Sequence, residues 1–256
     1  MNTNRARLPF FQANIASLPL WPIVLAGVLT RILLWCASEG ARSIYRHNLD
    51  LFHRQLWIFV ILAEAIQLVE GLAAIWLLKQ VLPQANAYLR WPPARSYAGV
   101  AAVIGIAMAS VMLVADYWPQ ILAHKPPVAV YEVTPIGIPG WLLVMLGAGV
   151  NEEILFRGAL VGMLTALIPG RVRIRQIDLP ASAYIGGVLF GAAHYQSFFA
   201  RPLYEALAQQ VYAFVWGLTY VWLMERSRSL VAPMIAHGVG DAVEAGAVML
   251  WESFCR

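Results

Sequence analysis

Seven stretches of this chain run for roughly twenty residues or more with few charges: 18–37, 56–80, 97–118, 139–167, 181–200, 205–224 and 229–251. No other feature constrains the fold as strongly. A helical run of that length matches the hydrocarbon thickness of a bilayer. Inside lipid every backbone N–H and C=O must find its partner within the protein, which leaves α-helices or closed barrels. Runs this long are helices, so the sequence predicts an all-α, polytopic transmembrane bundle of about seven spans, with six to eight as the range. Only 12% of the 256 residues are charged, against about 25% in soluble domains, so no soluble domain is expected beside the bundle. The 139–167 run is longer than one vertical span requires, so it is tilted, broken or continued past the bilayer.

The net charge of +4 reads as a topology signal rather than a nucleic-acid one. With seven spans, the N-terminus and the second, fourth and sixth loops share a side and carry ten basic residues, among them Arg5, Arg7, Arg90, Arg95, Arg171, Arg173 and Arg175. The opposite side carries six, including Arg42, Arg54, Lys125, Arg201 and Arg256. The excess puts the N-terminus inside. This predicts a multi-pass protein of the cell (inner or plasma) membrane whose Arg171–Arg175 cluster meets lipid headgroups. Trp91, Trp118, Trp141 and Trp251 fall at span edges, as an interfacial belt would. Arg31 interrupts the first run and no small-residue cleavage site follows, so that run reads as a retained helix rather than a signal peptide. Cys36 and Cys255 offer neither a disulfide framework nor a metal knuckle. Prolines at 92–93, 126–127 and 135–139 mark loops. The chain divides into 1–130, helices without a distinctive motif, and 131–256, which holds three polar clusters.

Those clusters are costly where they stand, at about 2.5–3.5 kcal/mol for each ionisable residue mid-span. In Asn151-Glu152-Glu153-Ile-Leu-Phe-Arg157, Glu153 and Arg157 are four apart on a helix, in the favourable acid-first order. Glu152 points about 100° away, free to face a cavity. His194 follows Phe190 by four residues, so the aromatic ring can brace the imidazole. His237 and Asp241 again share a face. Read singly, each cluster is also satisfied by a structural role: a buried ion pair, a core histidine, an Asp–His hydrogen bond.

Taken in order, Glu152-Glu153-x-x-x-Arg157, Phe190-x-x-x-His194 and His237-x-x-x-Asp241 resemble the three-motif signature of the CAAX-protease and bacteriocin-processing (CPBP, or Abi) intramembrane proteases, over roughly 139–245. The resemblance implies an intramembrane endopeptidase acting on a membrane-associated protein or peptide. Glu152 would activate water, His194 would position it and His237 would stabilise the oxyanion, with Glu153 and Arg157 fixing the geometry. It leaves a metal version open as well, in which Glu152, His194 and His237 bind a zinc ion with one open position. The family's third motif often ends in Asn where this chain has Asp241. An ionised Asp has acceptors only, so its expected task is to orient His237. Cleavage is expected near the cytoplasmic face, because the sequence places Glu152 past the middle of its span toward 171–175.

Other readings use fewer of these residues. Gly238-Val-Gly-Asp241 matches the Gly-x-Gly-Asp of aspartyl intramembrane proteases, but the nearest second aspartate is Asp116, followed rather than preceded by tyrosine. Glu64 and Glu70, with Arg31, could line an ion path in a transporter, or form an interior ion pair with an edge carboxylate. A non-catalytic membrane scaffold is the remaining alternative. Nothing in the sequence speaks to oligomeric state.

Overall fold

A computed structural model describes residues 11–15, 18–53, 55–89, 97–125 and 137–255. Strand β1 (Phe11–Ile15) is followed by helices α1 (Leu20–His47), α2 (Leu56–Val81) and α3 (Ala98–Leu122). Next comes α4 (Gly137–Glu153), which passes without a break into a π-helical segment (Ile154–Val161) and then α5 (Gly162–Leu167). Strands β2 (Gly170–Ile174) and β3 (Ile177–Pro180) lead to α6 (Ala181–Ala193), the short α7 (Ser197–Ala200), α8 (Leu203–Ser227) and α9 (Val231–Cys255). The proline breaks at 92–93 and 126–127, with Trp91, Arg5, Arg7, Arg54, Arg90, Arg95 and Arg256, lie outside the described residues.

The protein is an all-α helical membrane protein. Helices α1, α2 (from Trp57) and α3 are long and apolar enough to cross a bilayer by length and composition. The continuous 137–167 helix, α8 and α9 are comparably long, and the first and last of these carry polar clusters. The surface is inverted relative to a soluble protein: Trp76, Val103 and Val211 are 63%, 67% and 65% exposed, while Glu153 and Arg157 are 0% and 1% exposed. Apolar side chains face outward to lipid and the charges face inward.

The 181–200 run departs from the expected single span. Thirteen residues of α6 rise only about 20 Å, short of the roughly 30 Å hydrocarbon core. The helix stops at Ala193 because the chain turns at His194, whose carbonyl accepts hydrogen bonds from Ser197 N at 3.0 Å and Ser197 Oγ at 2.8 Å.

The Arg171–Arg175 stretch also differs from the headgroup-binding loop expected of it. It is β2, the middle strand of a three-stranded antiparallel sheet ordered β1-β2-β3. Phe11 pairs with Ile174, and Ile15 with Gly170. Arg171 and Arg173 both pair with Asp178 of β3, and Arg171 also reaches Glu225 of α8 at 2.8 Å. With Leu230 N donating to Tyr88 O at 3.0 Å, these contacts gather β1, the 82–89 segment, the β2–β3 hairpin and the α8–α9 turn at one end of the bundle.

Two glycines bring the helices close enough for the polar clusters to meet. A Cβ on Gly149 of α4 would lie 2.4 Å from Gly238 N and 2.7 Å from Gly238 Cα. A Cβ on Gly105 of α3 would lie 2.5 Å from Ala236 O. Helix α9 is therefore clasped between α3 and α4 with backbone almost touching backbone, the close packing that small residues permit between helices in lipid.

Candidate active site

The clusters of 151–157, 194 and 237–241, dispersed over 90 residues of sequence, line or adjoin one interior cavity of about 350 Å³. Glu152, His194, His237 and Asp241 line it. Glu153 and Arg157 lie behind its wall, fully buried.

The two glutamates divide as their helix positions predicted. Arg157 Nη1 forms an ion pair with Glu153 Oε1 at 3.0 Å, even though residue 157 lies in the π-helical segment, a departure from α geometry that often coincides with functional sites. His237 Nδ1 donates to the same Oε1 at 2.8 Å. Glu152 Oε2 has no hydrogen-bond partner among the described residues and lies 3.7 Å from His237 Nε2. One carboxylate is thus committed and its neighbour remains available.

His237 is fixed on four sides. Its ring stacks on Tyr220 with centroids 4.9 Å apart, and Phe190 meets it edge-on at 5.7 Å. Glu153 holds Nδ1, while Nε2 faces Asp241 Oδ2 at 3.4 Å and Glu152 on the cavity side. Glu153 thus fixes Nδ1, and Asp241, expected to orient the ring, meets it at Nε2. Arg157 completes this wall, its guanidinium 4.2 Å from the centroid of Phe190 and 4.7 Å from that of Tyr220. Such cation–π contacts strengthen where water is excluded.

His194 caps the end of α6. Its Nδ1 lies 2.8 Å from Phe190 O; a carbonyl only accepts, so Nδ1 carries a proton, and in the neutral ring Nε2 is the acceptor. Phe190 braces the ring at 5.1 Å, as the four-residue spacing predicted.

Several cavity residues were not foreseen as part of the site. Glu64 of α2 and Glu244 of α9 line it, as do Asp116 and Arg201. Glu64 was considered only for an ion path with Arg31; Arg31 instead lies over the Tyr195 ring at 5.4 Å. A carboxylate in mid-span was the available signal for Glu64, whereas nothing in the sequence marked Tyr220 as the platform beneath His237. Asp116 and Asp241 share the cavity but not a partner: Asp116 bonds Tyr212 and Arg201, and Asp241 faces His237. An aspartyl dyad, whose two carboxyls share one proton, is not what this arrangement provides.

The cavity also lies on the other side of Glu152 from the one expected. Glu152 is fifteen residues from each end of the 137–167 helix, and the lining runs from it toward Arg201, away from the β-sheet.

Residues 134–243 match the family model of the Rce1-like, type II CAAX prenyl endopeptidase. The chain carries an Rce1-like domain. That family is one of membrane proteases, and the likeness supports peptide hydrolysis at the family level. No curated protein and no solved structure matches the chain. The Rce1-like domain takes in all six polar residues singled out from the sequence, while α2 and α3 outside it contribute Glu64 and Asp116 to the cavity wall. Among the described residues, no three His, Cys, Asp or Glu side chains are gathered so that they could hold a metal ion.

Proposed function

We propose that this chain is a multi-pass intramembrane endopeptidase that cuts a lipid-anchored or otherwise membrane-associated protein near its C-terminus, with water activated by Glu152. The observation that carries the proposal is the split between the glutamates: Glu153 is fully buried with its Oε1 engaged by Arg157 and His237, while Glu152 lines the cavity and its Oε2 has no hydrogen-bond partner among the described residues. A general base needs a lone pair within reach of water and of the reacting carbonyl.

The steps follow from the atoms available. A water in the cavity donates one hydrogen to Nε2 of His194, the acceptor nitrogen, and the other to Glu152. Glu152 takes its proton as the oxygen attacks the scissile carbonyl. Both nitrogens of His237 face carboxylate oxygens, so both are set to donate, and Nε2 is the donor for the oxyanion. Glu153, Arg157 and Tyr220 act through His237 by fixing its ring. Protonated Glu152 then delivers its proton to the leaving amine. Residues 131–256 supply this chemistry, and the helices of 1–130 shape the cavity around the substrate.

The test is cleavage of a membrane-anchored peptide by purified protein in detergent, comparing wild type, Glu152→Gln and Glu153→Gln, each with and without a chelator. Loss of about 10²–10⁴-fold in kcat for Glu152→Gln with unchanged thermal stability supports the base assignment. Activity surviving in Glu152→Gln removes it, and chelator sensitivity of wild type would restore the zinc version.

A further inference from the structure

Arg31 breaks the rule that charges face inward, and the hydrolytic step makes no use of it. It stands on the stripe of α1 that carries Val28, Ile32 and Trp35, all exposed, and it is exposed itself. Its guanidinium lies over the Tyr195 ring, 5.4 Å from the centroid, and among the described residues no carboxylate pairs with it. An arginine turned toward hydrocarbon is expensive unless its head finds water or a counter-charge.

Three helices that run from the sheet end of the bundle measure how deep it lies. Arg31 is eleven residues past Leu20 on α1, His194 is thirteen past Ala181 of α6, and Glu152 is fifteen before Leu167 of α5. At 1.5 Å rise per residue these are about 17, 20 and 22 Å. In a hydrocarbon core of roughly 30 Å, Arg31 is therefore well inside the span, near the depth of the reacting groups but on the lipid face.

The bundle is open on that flank. Helix α1 packs against α2, α5 and α6 and runs on to His47, whereas α6 stops at Ala193 and α7 packs on α8. Past His194, α1 thus loses the neighbour that α6 gave it lower down. Tyr195 and Phe199, edge-on at 6.4 Å, form the opposite rim, and Phe199 is 85% exposed. The result is a notch in the leaflet away from the sheet, with Arg31 at its floor and Trp35, Tyr195 and Phe199 around it. Aromatic rings of this kind mark the headgroup level of a membrane protein.

A notch with a cation at its floor and apolar helix below is complementary to a phospholipid. The guanidinium fork matches phosphate oxygens, and Val28 and Val24, both exposed, continue down α1 as a track for an acyl chain. We propose that this notch binds one phospholipid, with its phosphate on Arg31 and a chain along Val28 and Val24, drawing the headgroup below its ordinary plane. Local thinning of this sort is how a bilayer accommodates a charge within a span. A headgroup held there brings its hydration water to the depth of His194. The site lies outside the interior cavity and stands independently of the hydrolytic assignment.

The test counts lipids held by the full-length protein in detergent, by native mass spectrometry, with dioleoyl phosphatidylglycerol and dioleoylglycerol as probes. Wild type is compared with Arg31→Gln, Arg31→Lys and, as a control at the end of the same helix, Arg46→Gln. The expected result is a first phosphatidylglycerol bound about tenfold more tightly than dioleoylglycerol by wild type. Arg31→Gln loses that preference, Arg31→Lys keeps part of it and Arg46→Gln keeps it all. Equal binding of the two lipids by wild type overturns the proposal, as does a preference that persists in Arg31→Gln. Displacement of the lipid by millimolar inorganic phosphate would make this a site for soluble anions, and displacement by an acidic membrane-anchored peptide would give the notch to a substrate; either result also overturns it. Should Arg31→Gln fail to fold, the wild-type ratio and the lysine variant still decide.

Discussion

Gly149→Ala should disable the site without touching a polar side chain. The added methyl would sit 2.4 Å from Gly238 N and 2.7 Å from Gly238 Cα, whereas ordinary contact begins at 3.4 Å. Both obstructing atoms are backbone, so no rotamer change relieves the clash and α4 must move off α9 by about 1 Å. That displacement acts directly on the pairs joining the two helices. The Glu153–His237 hydrogen bond, now 2.8 Å, would stretch past the usable range, and Glu152 would withdraw from a His237 Nε2 that is already 3.7 Å away. A misplacement of this size near reacting atoms costs about 10²-fold in rate, and loosening a buried charged hydrogen bond costs about 1–3 kcal/mol of stability. The assay is kcat/KM on a membrane-anchored peptide together with thermal unfolding in detergent, run beside Gly246→Ala. That second glycine lies on the same helix pair, but its added methyl meets only the flexible end of Leu142 at 3.2 Å. We expect Gly149→Ala to lose about 10²-fold and Gly246→Ala to stay within a few-fold of wild type. Full activity in Gly149→Ala would refute the argument that this contact sets the catalytic geometry.

Arg157→Lys keeps the charge beside Glu153 but loses the flat contact with Phe190 and Tyr220; we expect about 1–2 kcal/mol lower stability by thermal unfolding, with kcat falling more than KM rises. Asp241→Asn retains an oxygen toward His237 and adds N–H donors for an oxyanion, so kcat/KM should stay within about tenfold of wild type, whereas a collapse like that of Glu152→Gln would mean the negative charge itself is required. Arg171→Ala removes half-exposed ion pairs to Asp178 and Glu225 and should change stability by no more than about 1 kcal/mol, with any effect shrinking in high salt. An N-terminal tag and the cleaved end of a substrate should be protected from proteinase on opposite sides of a sealed vesicle, because the sheet containing β1 and the cavity occupy opposite halves of the bundle; co-protection would contradict that placement.

What the sequence disclosed was whatever hydrocarbon forbids. A glutamate pair, two histidines and an arginine inside apolar runs stand out because each is expensive there, and four-residue spacings carried the Glu153–Arg157 and Phe190–His194 contacts to the right partners. Contacts between elements were a different matter. That Glu153 rather than Asp241 holds His237 Nδ1 depends on how closely α4 and α9 approach, and so on Gly149 and Gly238, two glycines among the 19 in the chain. Arg201 read as a loop charge, since only packing brings it to Asp116. The alternation in Arg171-Val-Arg-Ile-Arg175 is a legible strand pattern, but its charge suits a headgroup-facing loop equally well. The π-helical turn leaves no mark in composition at all.

The strand at the chain's beginning has a consequence for biogenesis. Among the described residues Phe11–Ile15 pairs only with Gly170–Ile174, which leaves the ribosome some 160 residues later. At about 5–20 residues per second, that is a wait of roughly ten to thirty seconds with a bare strand edge, spanning the insertion of every helix up to α5. This early strand is thus fastened only after five helices have been made. By then the helix that carries Glu152 has already been threaded into the membrane, and closing the sheet ties its end to the start of the chain.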